Sequence, residues 1–193
     1  MKNLNIKYVL LGVLALIIVV VALFSLFVFG EYRSLAKAQL NLESKYSQVD
    51  NQMQRRADLI PNLVSSVKGY AKHEEKAIQL VSDARAKLGG AQTPVAKDEA
   101  NTELNGALSR LMMITENYPD LKADKSFSEL NREITGSENR IATARKDYIS
   151  AVQSYNSYVT VPPTSLFAGI FGFQKAEQFK ADESAKTAPK VEF

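Results

Sequence analysis

The sequence predicts an all-α protein in which an N-terminal transmembrane helix continues into a long-helix antiparallel bundle. Three observations carry that expectation. Residues Val9 to Phe29 form an unbroken apolar run of 21 residues whose only polar side chain is Ser25. One heptad frame then runs from Leu35 to Leu88 without a stutter. Two further stretches with helical spacing follow, set apart by glycine and proline.

At ~1.5 Å per residue the apolar run spans ~31 Å, about the hydrocarbon thickness of a bilayer. A cleaved signal peptide is the competing reading, with Lys2 and Lys7 as its basic end and Val28 and Gly30 as a weak cleavage site. A signal core is only ~7–15 residues long, and no helix breaker precedes the supposed cut, so residues 9–29 are read as an uncleaved anchor behind a short basic tail, residues 1–8. Lys2 and Lys7 lie before the run, and Arg33, Lys37 and Lys45 soon after it, so the positive-inside count is nearly balanced. The cost of moving a two-lysine tail across the membrane leans the reading to an inside amino terminus and an extracytoplasmic domain.

Residues 31–180 are expected to form the bundle. The heptad seam reads Leu35, Gln39, Leu42, Tyr46, Val49, Met53, Arg56, Ile60, Leu63, Val67, Tyr70, Glu74, Ala77, Val81, Ala84 and Leu88. Alternating steps of three and four keep one stripe facing a partner, so a single helix is expected over 31–88. Pro61 withholds a donor from the carbonyl of Ala57 and is expected to kink it, while Gly69 is a soft spot with no turn signal around it. Asp83 and Lys87 form an expected surface pair, and Gly89-Gly90 stops the helix. Thr93-Pro94 opens the next, over 95–118, with Asp98 and Glu99 at its positive end. Ser126 and Glu129 form a capping box for the last, over 126–159, which Val161-Pro162-Pro163 breaks.

Helix lengths of ~85, ~35 and ~50 Å leave the start of the first helix without an internal partner. An apolar seam in water is costly at ~25 cal/mol per Å², so Leu35, Leu42, Tyr46, Val49 and Met53 are expected to form an oligomer seam. The apolar segment 164–180, with Leu166, Phe167, Ile170, Phe171, Phe173 and Phe179, is read as folding back to cap the bundle rather than as an interfacial helix, because the same arithmetic puts it far from the bilayer. Residues 181–193 read as a polar, disordered tail.

Chemistry is hard to find. Without Lys2 and Lys7, the 24 basic residues fall to 22 against 21 acidic ones, scattered rather than striped, which argues against nucleic-acid binding. There is no Cys, so thiol redox chemistry and thiolate metal sites are excluded. The one His, His73, lacks a second His four residues on, and Gly89-Gly90 lacks the Lys-Ser or Lys-Thr of a phosphate loop. No catalytic residue, metal or cofactor is expected. Arg56 stands out on the seam, with Glu138 and Arg145 beside the last stripe; Arg56 is read as pairing with Glu138 to fix register.

Three stretches carry a family resemblance: YSQVDNQMQRRADLIPNLVSSVKGYAKHE at 46–74, YPDLKADKSFSEL at 118–130 and GSENRIATARKDYISAVQSYNSYV at 136–159. With Leu166-Phe167 and Phe171-Gly172-Phe173 after the prolines, the chain resembles the LemA family over nearly all of its length beyond the anchor. Tyr46, Asn51 and Ile149 depart from the residues common there, which bears on local packing. The resemblance implies a single-pass protein of the bacterial cytoplasmic membrane with a helical-bundle domain and no established reaction. It singles out Gln48, Asp50, Arg55, Arg56, Asp58, Pro61, Asn62, Glu138, Asn139, Arg140, Arg145 and Asn156 as interaction or structural residues. The expected function is a membrane-anchored scaffold, self-associating through its first helix and presenting the bundle to other envelope proteins. The alternative is an enzyme or ligand-binding protein with a polar pocket near Arg56 and Glu138.

Overall fold

The computed structural model describes residues 2–71 and 73–179; the tail read as disordered lies outside them. Six helices and no strand occur among the described residues: α1 (Lys2–Tyr70), α2 (Glu75–Gly90), α3 (Pro94–Thr115), α4 (Pro119–Ala123), α5 (Lys125–Thr160) and α6 (Ser165–Ala168). The chain divides into two compact units, one of Met1–Leu42 with Gln153–Ala176 and one of Glu43–Val152 with Glu177–Phe193.

The second unit is an up–down–up–down four-helix bundle. Tyr70 meets Asp124, Arg56 meets Glu138 and Tyr46 meets Tyr148, so α1 and α5 run antiparallel. Asp50 pairs with Lys97 and Arg56 with Asn105, so α3 runs parallel to α1. The core holds Val49, Met53, Ile60, Leu63, Val67, Val81, Leu104, Leu111 and Val152, all 2% exposed or less.

The expected single helix over 31–88 is two. The first ends at Tyr70, just past Gly69, and the second begins at Glu75 and runs back the other way. Glu74, the polar member of the seam, sits between the two and accepts a hydrogen bond from the Tyr118 hydroxyl at 3.1 Å. Heptad phase persists across the break because it records which side chains face a core, not which way the chain travels.

Pro61 explains how α2 docks. The Ala57 carbonyl, denied its helical donor, accepts instead from Arg85 Nε at 2.8 Å. Two surface readings change with it: Asp83 accepts from Gln79 rather than pairing with Lys87, and Lys87 binds Glu103 of α3 at 2.6 Å. Thr93 caps α3 through the Ala96 N–H as expected. At α5 the expected box of Ser126 and Glu129 is replaced by Asp124, which accepts from the Phe127 N–H at 2.9 Å and starts the helix slightly earlier.

In the first unit α1 carries the apolar run, which is long and apolar enough to cross a membrane and has no buried residue in its most apolar window. After α5 the chain turns through Val161-Pro162-Pro163, whose prolines cannot continue the helical ladder, into α6. Asn156 then clamps the returning segment at two points, donating to the Ala176 carbonyl at 3.0 Å and accepting its N–H at 2.8 Å. Phe167 lies against Phe24 and Phe27, at 6.4 and 6.1 Å between ring centroids. The apolar segment therefore meets the N-terminal apolar run, contrary to the length arithmetic. Only Phe179, in the other unit, follows the capping expectation, packing at 4.7 Å on Tyr148.

The residues expected at an oligomer seam are covered by the chain itself. Leu35, Leu42, Val49 and Met53 are buried within the single chain, and Tyr46 lies against Tyr148. The first helix ends at Tyr70, beside the start of α5, so α5, close to its expected length, reaches further back along α1 than the arithmetic allowed.

Two predictions follow from this packing. Replacing Arg85 by Met should cost roughly 1–2 kcal/mol in the wild type and less than half that in a Pro61→Ala background, where residue 61 supplies the missing donor. Equal costs in thermal unfolding would show that Arg85 acts through packing alone. Leu42→Glu with Val49→Glu should unfold the domain, losing helicity and several kcal/mol, because it buries charges in a closed core. A stably folded monomer formed from a wild-type oligomer, seen by light scattering, would restore the seam assignment.

Candidate functional site

A ladder of polar groups runs between α1, α3 and α5. Arg56 is 3% exposed, and its side chain reaches from α1 to both other helices. One terminal nitrogen binds Glu138 at 2.8 Å and the other donates to the Asn105 carbonyl oxygen. Asn105 closes the ring by donating to Glu138 at 2.6 Å. Seven residues away on each helix, Arg145 of α5 binds Asp98 of α3 at 2.8 Å. Asn101, 1% exposed, lies between them in sequence on α3. Asp98 was expected to serve the α3 dipole; its position one turn into the helix instead turns it inward to Arg145.

Burial pushes the Arg56 guanidinium below its ordinary pKa range, and the charge and hydrogen bond of Glu138 oppose that shift. Nε of Arg56 has no hydrogen-bond partner, nor do the side-chain oxygens of Gln52 and Asn101. Burial also raises the phenol of Tyr46, with Asp50 adding to it, and that of Tyr148, with Tyr46 and Glu177 adding. Both tyrosines are therefore held neutral up to alkaline pH. Arg145 lies over the Phe179 ring at 5.3 Å, a cation–π contact that ties the returning segment to the ladder.

The residues singled out by resemblance do not form one cluster. Arg56, Glu138 and Arg145 belong to the ladder. Asp50 pairs with Lys97, Pro61 frees the Ala57 carbonyl and Asn156 clamps the return. Gln48, Arg55, Asp58, Asn62, Asn139 and Arg140 are exposed. Three of these, Gln48, Asn139 and Arg140, line one open cleft of ≈ 550 Å³ with Asn51, Gln52 and Asp147. A second cleft of ≈ 420 Å³ lies beside Arg56 and Glu138, with walls that include Leu108, Met112, Met113 and Ile134. Sequence reasoning missed Asn105, Arg85 and Lys97; the position of Asn105, seven after Asp98, is the signal that pointed to a shared face.

His73 sits exposed in the turn between α1 and α2. No group of three metal-binding side chains occurs among the described residues.

Comparison with known proteins decides the family. Residues 45–193 match the LemA family. The chain belongs to the LemA family. It is similar to the magnetosome proteins MamQ 1 and MamQ 2 of Paramagnetospirillum magneticum, each 27% identical over 182 residues, covering 81% of this chain and 67% of the relative. It is also similar to Protein LemA of Metamycoplasma hominis, 23% identical over 167 residues, covering 86% of this chain and 76% of that one. Within this LemA-family chain the match takes in the whole ladder and both clefts.

Removing Arg56 should reveal what the ladder contributes. Arg56→Met leaves Asn105 and Glu138 without their cation and should cost about 3 kcal/mol in thermal unfolding. Adding Glu138→Met should recover most of that loss. Glu138→Gln alone should cost about 1 kcal/mol, because Glu138 is 45% exposed and its charge is screened. An Arg56→Met protein as stable as the wild type would show that the ladder does not hold the bundle.

Proposed function

We propose that this LemA-family protein is a membrane-anchored, non-catalytic interaction protein of the bacterial envelope, presenting the polar cleft of Gln48, Asn139 and Arg140 to another protein. The observation that carries this reading is a division of labour. The charges of Arg56, Glu138, Asp98 and Arg145 are paired with one another, whereas Gln48, Asn139 and Arg140 share an open cleft. Anchoring is supported by the apolar run inside α1, whose mean hydropathy reaches 3.2 over a window with no buried residue. The cytoplasmic membrane, a single pass and an extracytoplasmic bundle complete the proposal, and protease protection of spheroplasts reads the orientation. Self-association has lost its original support, since the seam is covered; any homo-oligomer in this proposal uses other faces of the molecule.

The second reading is a ligand-binding protein or enzyme acting at the ≈ 420 Å³ cleft beside Arg56 and Glu138. Its support is the cleft's volume and apolar walls, which suit a small molecule. Against it, the two terminal nitrogens of Arg56 are already taken by Glu138 and Asn105.

Photo-crosslinkers placed at Arg140 and, separately, at Met113 in native membranes test the two readings together. The proposal expects a discrete protein adduct from position 140. Adducts confined to low-mass species at position 113 would overturn it in favour of the ligand reading.

A further inference from the structure

We infer that residues 164–173 dip into the bilayer beside the anchor, forming a second, interfacial membrane contact in the leaflet from which Glu31 emerges. This rests on the anchor reading of residues 9–29.

Depth is set by three contacts within one unit. Thr164 donates to the carboxylate of Glu31 at 2.9 Å, and Glu31 is the first charged residue after the apolar run. Phe167 then packs edge-on against Phe27 and Phe24, which lie ~6 and ~10 Å before Glu31 along α1. The chain returns at Phe171 and Phe173, whose rings lie 5.1 and 6.0 Å from that of Tyr32. A residue touching Phe24 and Phe27 must share their depth, so when those two are in hydrocarbon Phe167 is as well.

The local backbone suits such a dip. Gly172 adopts φ +78°, a conformation that favours glycine, and the Phe173 N–H closes the loop on the Ala168 carbonyl at 2.9 Å. The loop thereby satisfies backbone groups within itself, which a segment entering lipid requires. From Val161 to Gln174 the chain carries no charged side chain, and Lys175 follows immediately. Leu166 and Ile170, four residues apart, are 66% and 78% exposed, an apolar pair beside the same apolar run. Lipid is the occupant that continuity with the span favours. Tyr32 at the exit has the amphipathic ring suited to the headgroup level.

The absence of native cysteine permits a direct test on the full chain. Single variants Leu166→Cys, Ile170→Cys, Leu16→Cys and Glu129→Cys would be labelled with an environment-sensitive fluorophore and placed in phosphatidylcholine–phosphatidylglycerol vesicles. Quenching would be measured with aqueous iodide and with lipids carrying nitroxides at defined depths. Labels at 166 and 170 are expected to emit at shorter wavelength than that at 129, to resist iodide and to be quenched most strongly by shallow nitroxides. The label at 16 should be quenched by deep ones. Iodide quenching at 166 and 170 equal to that at 129 would overturn the inference while leaving the anchor intact. Protection from both quenchers would also overturn it, showing that protein covers the pair. A label at 16 open to iodide would overturn the anchor reading and this inference with it.

Discussion

The buried guanidinium of Arg56 is the constraint on which the bundle depends. An isolated charge in a core is prohibitive, so its burial dictates that acceptors arrive from both neighbouring helices. Glu138 and Asn105 do so, and they bind each other as well. Such a ring adds less net stability than its Coulomb energy suggests, because desolvation offsets the attraction. Its stronger effect is on alignment. Apolar side chains repeating every seven residues allow helices to slip by a heptad at modest cost. Slipping α5 one heptad in one direction puts Arg145 opposite Arg56. Slipping it in the other puts Glu138 opposite Asp98. Each error creates a like-charge contact where the native register has an ion pair.

Proline performs a related task between α1 and α2. A proline inside a helix leaves a carbonyl unsatisfied, ordinarily a local defect. Here the defect, at the residue next to Arg56, faces α2, whose Arg85 fills it. The first three helices are thus tied by polar contacts at Ala57, Asp50 and Arg56, all within two turns of α1. The apolar core around Val49, Ile60 and Leu63 provides the bulk of the burial, and these contacts select one arrangement of it.

Much of this was legible in the sequence, for reasons that also explain what was not. The apolar run, the Thr93-Pro94 start, the Gly89-Gly90 stop and the carbonyl freed by Pro61 are local signals, and local signals survive folding. The pairing of Arg56 with Glu138 followed from charge placed on an apolar stripe. The break between Tyr70 and Glu75 was hidden because the heptad phase continues past it, with Ala77, Val81, Ala84 and Leu88 still buried. Asp98 was misread because two physical roles, dipole partner and buried ligand of Arg145, select the same residue type near a helix start. Phe167 was misplaced by an error that propagated. One helix too long made α5 seem too short to bring its end back to Phe24 and Phe27.

The same distinction sorts the residues that the family resemblance singled out in this chain. Packing and hydrogen bonding account for Arg56, Glu138, Arg145, Asp50, Pro61 and Asn156, each with an identified structural partner or consequence. They leave Gln48, Arg55, Asn62, Asn139 and Arg140 without a structural task that exposed side chains of other types could not meet. Exposed polar residues that the fold does not require are where recognition is to be sought. Gln48 on α1 and Asn139 and Arg140 on α5 come from helices whose alignment the buried ladder holds. A surface built on rigid helices keeps its donors and acceptors in place before a partner arrives, which lowers the ordering cost of binding. On the proposed reading the interior charges serve recognition indirectly, by fixing the register on which the exposed polar cleft depends.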